Sequence, residues 1–442
     1  MQDYRAQLKV KKERAILVGA VMVRRASDFN ENDNLAELTA LTESARAVVV
    51  DRFIQRIRMI KPKTYIGSGK AEMLAERVKR YDADVIIFDN DLSPAQIRNL
   101  EEIVDVKVID RSELILDIFA TRAQTRQAKL QVELAQLQYT YPRLTRMWGH
   151  LDTVAGAAGG AGAVGAVGGI GTRGTGEKQL EIDRRLVNKR ITELKRDLEA
   201  IDKRKLREIS AREGQYKVSL VGYTNAGKST LMNKLTDAGV FVEDRLFATL
   251  DTRTKKWTIE RGAEVLLSDT VGFVQHLPHH LVASFKATLE EAVNADLLLH
   301  VVDVSNERAL EQIESVNNVL REIGCGDKDV LVLLNKADVL GSKNVLESLQ
   351  TIYPDAVCIS AKTGMNIDLA SDAVIDRFRG KNVKVRVTSK MSNGKVQSFL
   401  RAKADIISED YADNKVVIEA VIGTNQMVML KQLKPENIEI LG

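Results

Sequence analysis

Residues 217–230 read KVSLVGYTNAGKST, and this stretch constrains the fold more than any other. Lys217 to Val221 is a β-branched strand pattern, and Gly222-Tyr223-Thr224-Asn225-Ala226-Gly227-Lys228-Ser229 follows it directly, with Thr230 next. This is the phosphate-loop pattern G-x-x-x-x-G-K-S in a strand–loop–helix setting. Gly222 and Gly227 let the backbone bend so that its amides point at phosphate oxygens, ahead of a helix N-terminus. Lys228 adds positive charge at the β and γ phosphates, and the Ser229 hydroxyl is a Mg²⁺ ligand. Taken alone, the motif leaves ATP and GTP both open.

Two later motifs choose the base. The apolar run DVLVLL leads into Asn335-Lys336-Ala337-Asp338. An aspartate at this point accepts hydrogen bonds from guanine N1 and N2, which adenine cannot offer. Asn335 would brace the loop, and the Lys336 stem would lie over the base. CISAKTG then supplies Ser360-Ala361-Lys362, with a backbone amide to meet guanine O6. Any one of these is an ordinary polar loop; in this order, each after a strand, they predict a guanine nucleotide site.

Between them, Asp269-Thr270-Val271-Gly272 closes the strand VLLSD. Asp269 would hold the Mg²⁺ shell through water, and the Gly272 amide would meet the γ-phosphate, a contact that hydrolysis breaks. Upstream, Phe247-Ala248-Thr249-Leu250-Asp251 occupies the place of a first switch. Thr249 is the chosen second Mg²⁺ hydroxyl, with Thr252 and Thr254 as rivals. The metal set is therefore Ser229, Thr249 and Asp269, and the catalytic set is Lys228, Thr249 and Gly272.

The rest of the 442-residue chain divides around this segment. Residues 1–111 alternate strands (RAILVGAVMV, VVVDRFIQRIRMI, DVIIFD, VKVID) with helices, which predicts a parallel sheet. Ser93 and Pro94 read as the cap and first position of one of those helices. Residues 112–213 predict a helical hairpin: one long helix from Ser112 to about Tyr141, ended by Pro142, and a second over 177–212. A Gly/Ala-rich loop, 153–176, joins them. Residues 153–172 carry no charge over 20 positions, but they comprise 8 Gly, 6 Ala, 3 Val, 2 Thr and one Ile. Gly disfavours a helix by roughly 1 kcal/mol per residue, so a loop is expected rather than a membrane span. Residues 214–380 return to strand–helix alternation, and 381–442 read as a small α+β appendage of strand, helix, two strands and helix.

Composition excludes several classes. Two cysteines permit at most one bridge, which rules out a disulfide-stapled secreted fold. The opening MQDYRAQLKVKKER has no apolar run and does not read as a signal peptide. The expected location is cytoplasmic, with peripheral membrane attachment left open, and a monomer is expected. The net charge of +4 hides an asymmetry. Residues 111–212 carry 19 basic and 12 acidic groups, whereas 213–380 carry 17 and 24. A basic middle segment suits either a polyanion partner or a solvated helical face.

The set GYTNAGKS, FATLD, DTVGF, NKAD and SAK resembles the Obg–HflX branch of translation-factor-class GTPases. Upstream, GGIGTRGTGEKQLEIDRR (168–185) resembles the HflX signature, with Thr175 where the family's RGPGE has its proline and with a longer Ala-Gly loop before it. The resemblance covers about residues 10–380. It implies a Mg²⁺-dependent GTPase that binds the large (50S) ribosomal subunit and its rRNA and splits stalled or idle 70S ribosomes. The N-terminal domain and hairpin would then reach toward the peptidyl transferase centre. Rival readings are an RNA-remodelling or large-subunit assembly factor, and a GTP-dependent signalling switch without RNA.

Other positions carry weaker signals. Phe273 stands where many GTPases have a water-orienting glutamine, so hydrolysis by the isolated chain should be slow. Asn225 either shapes the loop or, as in some relatives, helps bind K⁺. Tyr65-Ile-Gly67-Ser-Gly69-Lys70 lacks phosphate-loop spacing and reads as a turn before a helix, although an ATP site in this domain has been proposed for HflX relatives. His276, His279 and His280 read as surface rather than metal ligands, and Trp148 as either an RNA-stacking ring or a core contact.

Overall fold

The computed structural model describes residues 12–22, 35–147, 175–210, 215–236, 246–247, 252–259, 264–275, 289–339, 343–380, 382–412 and 414–441. The chain forms two compact units. The first is Met1–Arg204 with Asp244–Leu250 and Leu277–Ala287; the second is Lys205–Glu243, Asp251–His276 and Thr288–Gly442.

In the first unit, β1 (Arg14–Met22), β2 (Val48–Ile57), β3 (Val85–Phe88) and β4 (Lys107–Asp110) make a sheet of order β2-β1-β3-β4. Every neighbouring pair is parallel, as the alternation of strands and helices required. Ile16, Leu17 and Val18 in β1 and all of β3 are buried, which fits a sheet covered on both faces. The helices between strands are α1 (Ala36–Ser44), α2 (Ser68–Tyr81) and α3 (Pro94–Val104). Ser93 caps α3 in a capping box with Gln96, and Pro94 takes its first position.

The hairpin departs from the expected single first helix. Helix α4 (Arg111–Arg122) ends at Ala123, whose backbone is extended (φ −62°, ψ 113°). Thr125 then starts α5 (Arg126–Met147), its hydroxyl accepting the Ala128 N–H at 3.1 Å. Pro142 lies inside α5 rather than ending it. The turn beyond the proline is held by tertiary bonds: Arg143 donates to Asp110 Oδ2 at 2.9 Å and to the Leu92 carbonyl at 3.3 Å. A proline normally disfavours a helix interior, and these anchors offset that cost. The second arm is α6 (Thr175–Ser210). Leu134, Leu194 and Leu198 form the buried seam between the arms. Gln127–Asp202 (3.2 Å) and Tyr141–Asn188 (2.8 Å) bonds fix their antiparallel register. The loop 153–172, Trp148 and the three histidines 276, 279 and 280 lie outside the described residues.

The second unit holds β5 (Lys217–Gly222), β6 (Arg253–Thr258), β7 (Glu264–Asp269), β8 (Leu297–Asp303), β9 (Asp329–Asn335) and β10 (Val357–Cys358). Their order is β10-β9-β8-β5-β7-β6, parallel except for the antiparallel edge pair β6–β7. Leu220, Leu267, Leu299 and Leu333 stack across four adjacent strands in its core. Helices α7 (Lys228–Thr236), α8 (Glu290–Val293), α9 (Ala309–Glu322), α10 (Lys343–Ile352) and α11 (Ile367–Arg379) connect them. The appendage runs β11 (Asn382–Lys390), α12 (Gly394–Lys403), β12 (Asp405–Ala412), β13 (Lys415–Gly423), α13 (Thr424–Gln432), β14 (Asn437–Ile440). The strand β14 was not anticipated. It pairs with β11 and completes the antiparallel order β12-β13-β11-β14, a split β-α-β arrangement.

Asp110 is the buried hub of the first unit, 1% exposed. It accepts from Tyr139 Oη (2.6 Å), Arg143 Nη2 (2.9 Å) and the Glu113 and Leu92 amides (3.0 and 3.2 Å). Asp110→Ala would strand these donors and should cost about 3–5 kcal/mol, read as a lower urea midpoint for the first unit. In the second unit, His300 on β8 is 2% exposed, and burial, with the Lys228 charge added, lowers its pKa from 6.5 to about 4. The unfolded chain holds a proton that the folded chain releases between those values. Stability should therefore fall as pH falls from 6.5 toward 4, by about 1–2 kcal/mol at pH 5. Urea titrations at pH 7 and pH 5 should show a smaller difference for His300→Asn than for the parent; equal differences would contradict a buried neutral histidine.

Candidate nucleotide site

The loop after β5 is built around two left-handed glycines. At Gly222 (φ +148°) an added Cβ would stand 2.3 Å from the Val301 carbonyl oxygen on β8, so the loop can leave the strand here only without a side chain. Gly227 (φ +95°) leaves room for Asn335 Nδ2, which an added Cβ would meet at 2.3 Å. Asn225 has φ +62° and is exposed, Ala226 is buried, and Ser229 and Thr230 open α7 half-buried. Thr224 is 6% exposed and its N–H donates to the Phe273 carbonyl at 2.7 Å.

Lys228 is 6% exposed, and its Nζ donates to the Gly222 and Tyr223 carbonyls at 3.0 and 2.8 Å. Burial lowers its pKa to about 8, with Asp269 pulling the other way. A buried ammonium held only by neutral carbonyls is a site that favours an incoming anion. Ser229 Oγ donates to Asp269 Oδ2 at 2.7 Å, and Asp269 is fully buried at the end of β7. Thr270 donates to the Leu220 carbonyl at 2.6 Å, locking the two strands at this point. Val271 is buried, and Gly272 lies against the Thr224 backbone and Lys228 Nζ. The structure thus brings Lys228, Ser229, Asp269 and Gly272 to one place.

Asn335 ties the second half together. Its Nδ2 donates to the Ala226 carbonyl at 2.7 Å and its Oδ1 accepts the Ala361 N–H at 2.9 Å. Lys336 has φ +63°, and its ammonium pairs with Asp303 Oδ2 at 2.7 Å. Asp303, at the end of β8, escaped the sequence reading; its position at a strand end, three residues past His300, was the available signal. Ala337 starts a 3₁₀ turn that leaves Asp338 exposed. Ser360 is buried and its N–H donates to the Met365 carbonyl. The Ser360 and Ala361 amides are thus both engaged within the protein.

Ala248, Thr249, Leu250 and Asp251 lie outside the described residues. Phe247 belongs to the first unit, where its ring meets Phe119 edge-on at 4.6 Å between centroids. The rival Thr254 lies in β6 with its hydroxyl 2.9 Å from Ser268 Oγ. Phe273 is 3% exposed and cannot hydrogen-bond a water through its ring. Tyr65–Gly67 forms the expected turn before α2, and Ser68–Lys70 open the helix, with Lys70 Nζ against Met73 Sδ at 3.6 Å.

Among the described residues, no group of three or more His, Cys, Asp or Glu side chains could hold a metal. Mg²⁺ needs only one or two protein oxygens and takes the rest from phosphates and water, and the adjacent Ser229 and Asp269 oxygens would fit such a pair. Among the described residues, no helix is long and apolar enough to cross a membrane.

Three family models match the chain in sequence: GTP-binding GTPase N-terminal over residues 32–120, GTP-binding GTPase Middle Region over 122–212, and 50S ribosome-binding GTPase over 217–336. A GTPase HflX of Lacrimispora saccharolytica is 42% identical over 94% of this chain and 95% of its own. The GTPase HflX of Escherichia coli K12 is 42% identical over 83% and 84%. A GTP-binding protein of Sulfolobus solfataricus, solved in complex with GDP, is 25% identical over 83% of this chain and 98% of its own, with a TM-score of 0.41. With a phosphate loop, a buried lysine and a guanine-type loop gathered in one domain, and GTPase HflX relatives 42% identical along most of its length, the chain belongs to the HflX family of GTPases and is a GTP-hydrolysing enzyme.

Proposed function

We propose that this GTPase works on the large ribosomal subunit and couples GTP hydrolysis to dissociation of stalled or idle 70S ribosomes. One observation carries the reading: the 111–212 segment carries 19 basic against 12 acidic groups and lies largely on long helices. A seam of leucines holds the arms, and exposed cations such as Lys129, Lys189, Lys195 and Arg196 offer charge to RNA phosphates. A family model described as 50S ribosome-binding GTPase supports the same partner. The working compartment in this reading is the cytoplasm.

At the nucleotide, Lys228 neutralises charge on the β and γ phosphates, and the Gly272 amide meets the γ-phosphate. Ser229, Thr249 and, through water, Asp269 would hold Mg²⁺, which supplies charge stabilisation on the transferring phosphoryl group. Asn225, exposed on the loop, is the residue for a K⁺ ion. Asp338 accepts from guanine N1 and N2, the Lys336 stem covers the base, and the Lys362 amide meets O6. Phe273 gives no help to the attacking water, so the partner or an ion must complete the site.

Asp338→Asn should shift preference from guanine toward xanthine nucleotides, measured by competition of GDP and XDP for the chain; unchanged guanine selectivity would remove Asp338 from the role. Cosedimentation with a non-hydrolysable GTP analogue should place the chain on 50S particles, with hydrolysis rising sharply on them. Binding should weaken steeply with salt, with a slope in log K against log salt of roughly −0.7 to −0.9 per phosphate contact. Binding to 50S precursors without 70S dissociation would favour an assembly role. No binding at all would leave a signalling switch.

A further inference from the structure

Tyr223 is the second residue of the phosphate loop, and none of the roles above uses its side chain. It is 6% exposed, and its hydroxyl oxygen accepts the Gln275 backbone N–H at 2.7 Å. The same two segments are joined by backbone: the Thr224 N–H donates to the Phe273 carbonyl at 2.7 Å, and the Phe273 N–H donates to the Gly222 carbonyl at 3.2 Å. Three hydrogen bonds therefore fasten residues 273–275 to the loop that cradles phosphate. Within this lashing Gly272 is held so close that an added Cβ would stand 2.8 Å from Thr224 Cα and 2.9 Å from Lys228 Nζ.

The three bonds differ in reach. The two backbone bonds act at Phe273. The tyrosine bond acts two residues further on, at Gln275. It extends the fastened stretch to three residues past Gly272, so a displacement at Gln275 is not passed back to Gly272 while the bond holds. A phenol on the rigid loop does this with one side-chain bond that leaves the phosphate-facing amides untouched.

We propose that Tyr223 is a positioning residue for GTP hydrolysis: its hydroxyl holds Gln275, and through it the Gly272 amide, in line with the γ-phosphate. The hydroxyl takes no part in holding guanine or the α and β phosphates, so it governs the chemical step and not nucleotide binding.

The test uses the full chain with Tyr223→Phe, which removes the hydroxyl and keeps the ring. One net hydrogen bond corresponds to a rate loss of about five-fold in single-turnover GTP hydrolysis. Affinity for a fluorescent GDP analogue should stay within about two-fold, since that ligand lacks the phosphate the tether serves. Hydrogen exchange should quicken in a peptide covering 272–276 and stay unchanged over 222–229. A rate equal to or above the parent's overturns the proposal whatever the exchange result. So does a loss of GDP affinity that matches the loss of rate, because the tyrosine would then only be shaping the loop. Tyr223→Leu, which loses the ring as well, should be at least as slow as Tyr223→Phe; a slow Leu variant beside a normal Phe variant assigns the effect to ring packing and overturns the hydroxyl's role.

Discussion

The buried side-chain amide of Asn335 joins parts of the chain far apart in sequence. It is 2% exposed and makes one bond as donor to Ala226 and one as acceptor from Ala361, 109 and 26 residues away. A buried amide with both ends satisfied adds stability and direction; with one end orphaned it costs about 1–3 kcal/mol. The glycine at 227 exists in the space this amide needs, since a methyl group there would overlap Nδ2. Phosphate loop, base-selecting turn and the 358–364 loop are therefore positioned as one object. Lys336 is turned by its left-handed backbone toward Asp303, which adds the end of β8 to the same assembly.

The two units handle buried charge by the same physics with different ends. In the first, Arg111 is 3% exposed and pairs with Asp89 at 2.6 Å and Glu37 at 2.9 Å, while Asp110 pairs with Arg143. These ions have their counter-ions on the chain, as a scaffold requires. In the second, Lys228 is buried against neutral carbonyls and is shifted down to about 8. The negative charge that stabilises it is Asp269, whose Oδ2 is already engaged by Ser229. Desolvation that is not fully offset within the protein is a mark of a site made for a ligand, here one bearing phosphates.

The fold was readable wherever local pattern and tertiary need agree. Continuous apolar runs such as DVIIF and DVLVLL became buried parallel strands, and Ser93 before Pro94 became a helix cap, because strand burial and capping act over a few residues. The reading failed where a remote partner decided the outcome. Apolar spacing carries straight across Ala123–Thr125, yet the helix breaks there and restarts on the Thr125 hydroxyl. Pro142 looks like a stop in any local window; bonds from Arg143 to Asp110 and Leu92 carry the helix past it. The four residues of β14 alternate polar and apolar, but the run is too short to read as a strand by itself and becomes one where β11 offers an open edge.

The site divides along the same line. The order and spacing of the glycines, Lys228, Ser229, Asp269 and Asn335–Asp338 by themselves determined which nucleotide chemistry the chain can hold, since each motif is a short segment whose backbone geometry and donor set are local. Tertiary structure alone decided who touches whom. It paired Asp303 with Lys336, closed Thr254 onto Ser268, carried Phe247 to Phe119, and set the Tyr223 hydroxyl on Gln275. These contacts span from 14 to 128 residues of chain, and no periodicity encodes them. They arise only once β5, β7, β8 and β9 lie side by side in one sheet, and the first unit's helices pack, so that loops distant in sequence emerge next to one another.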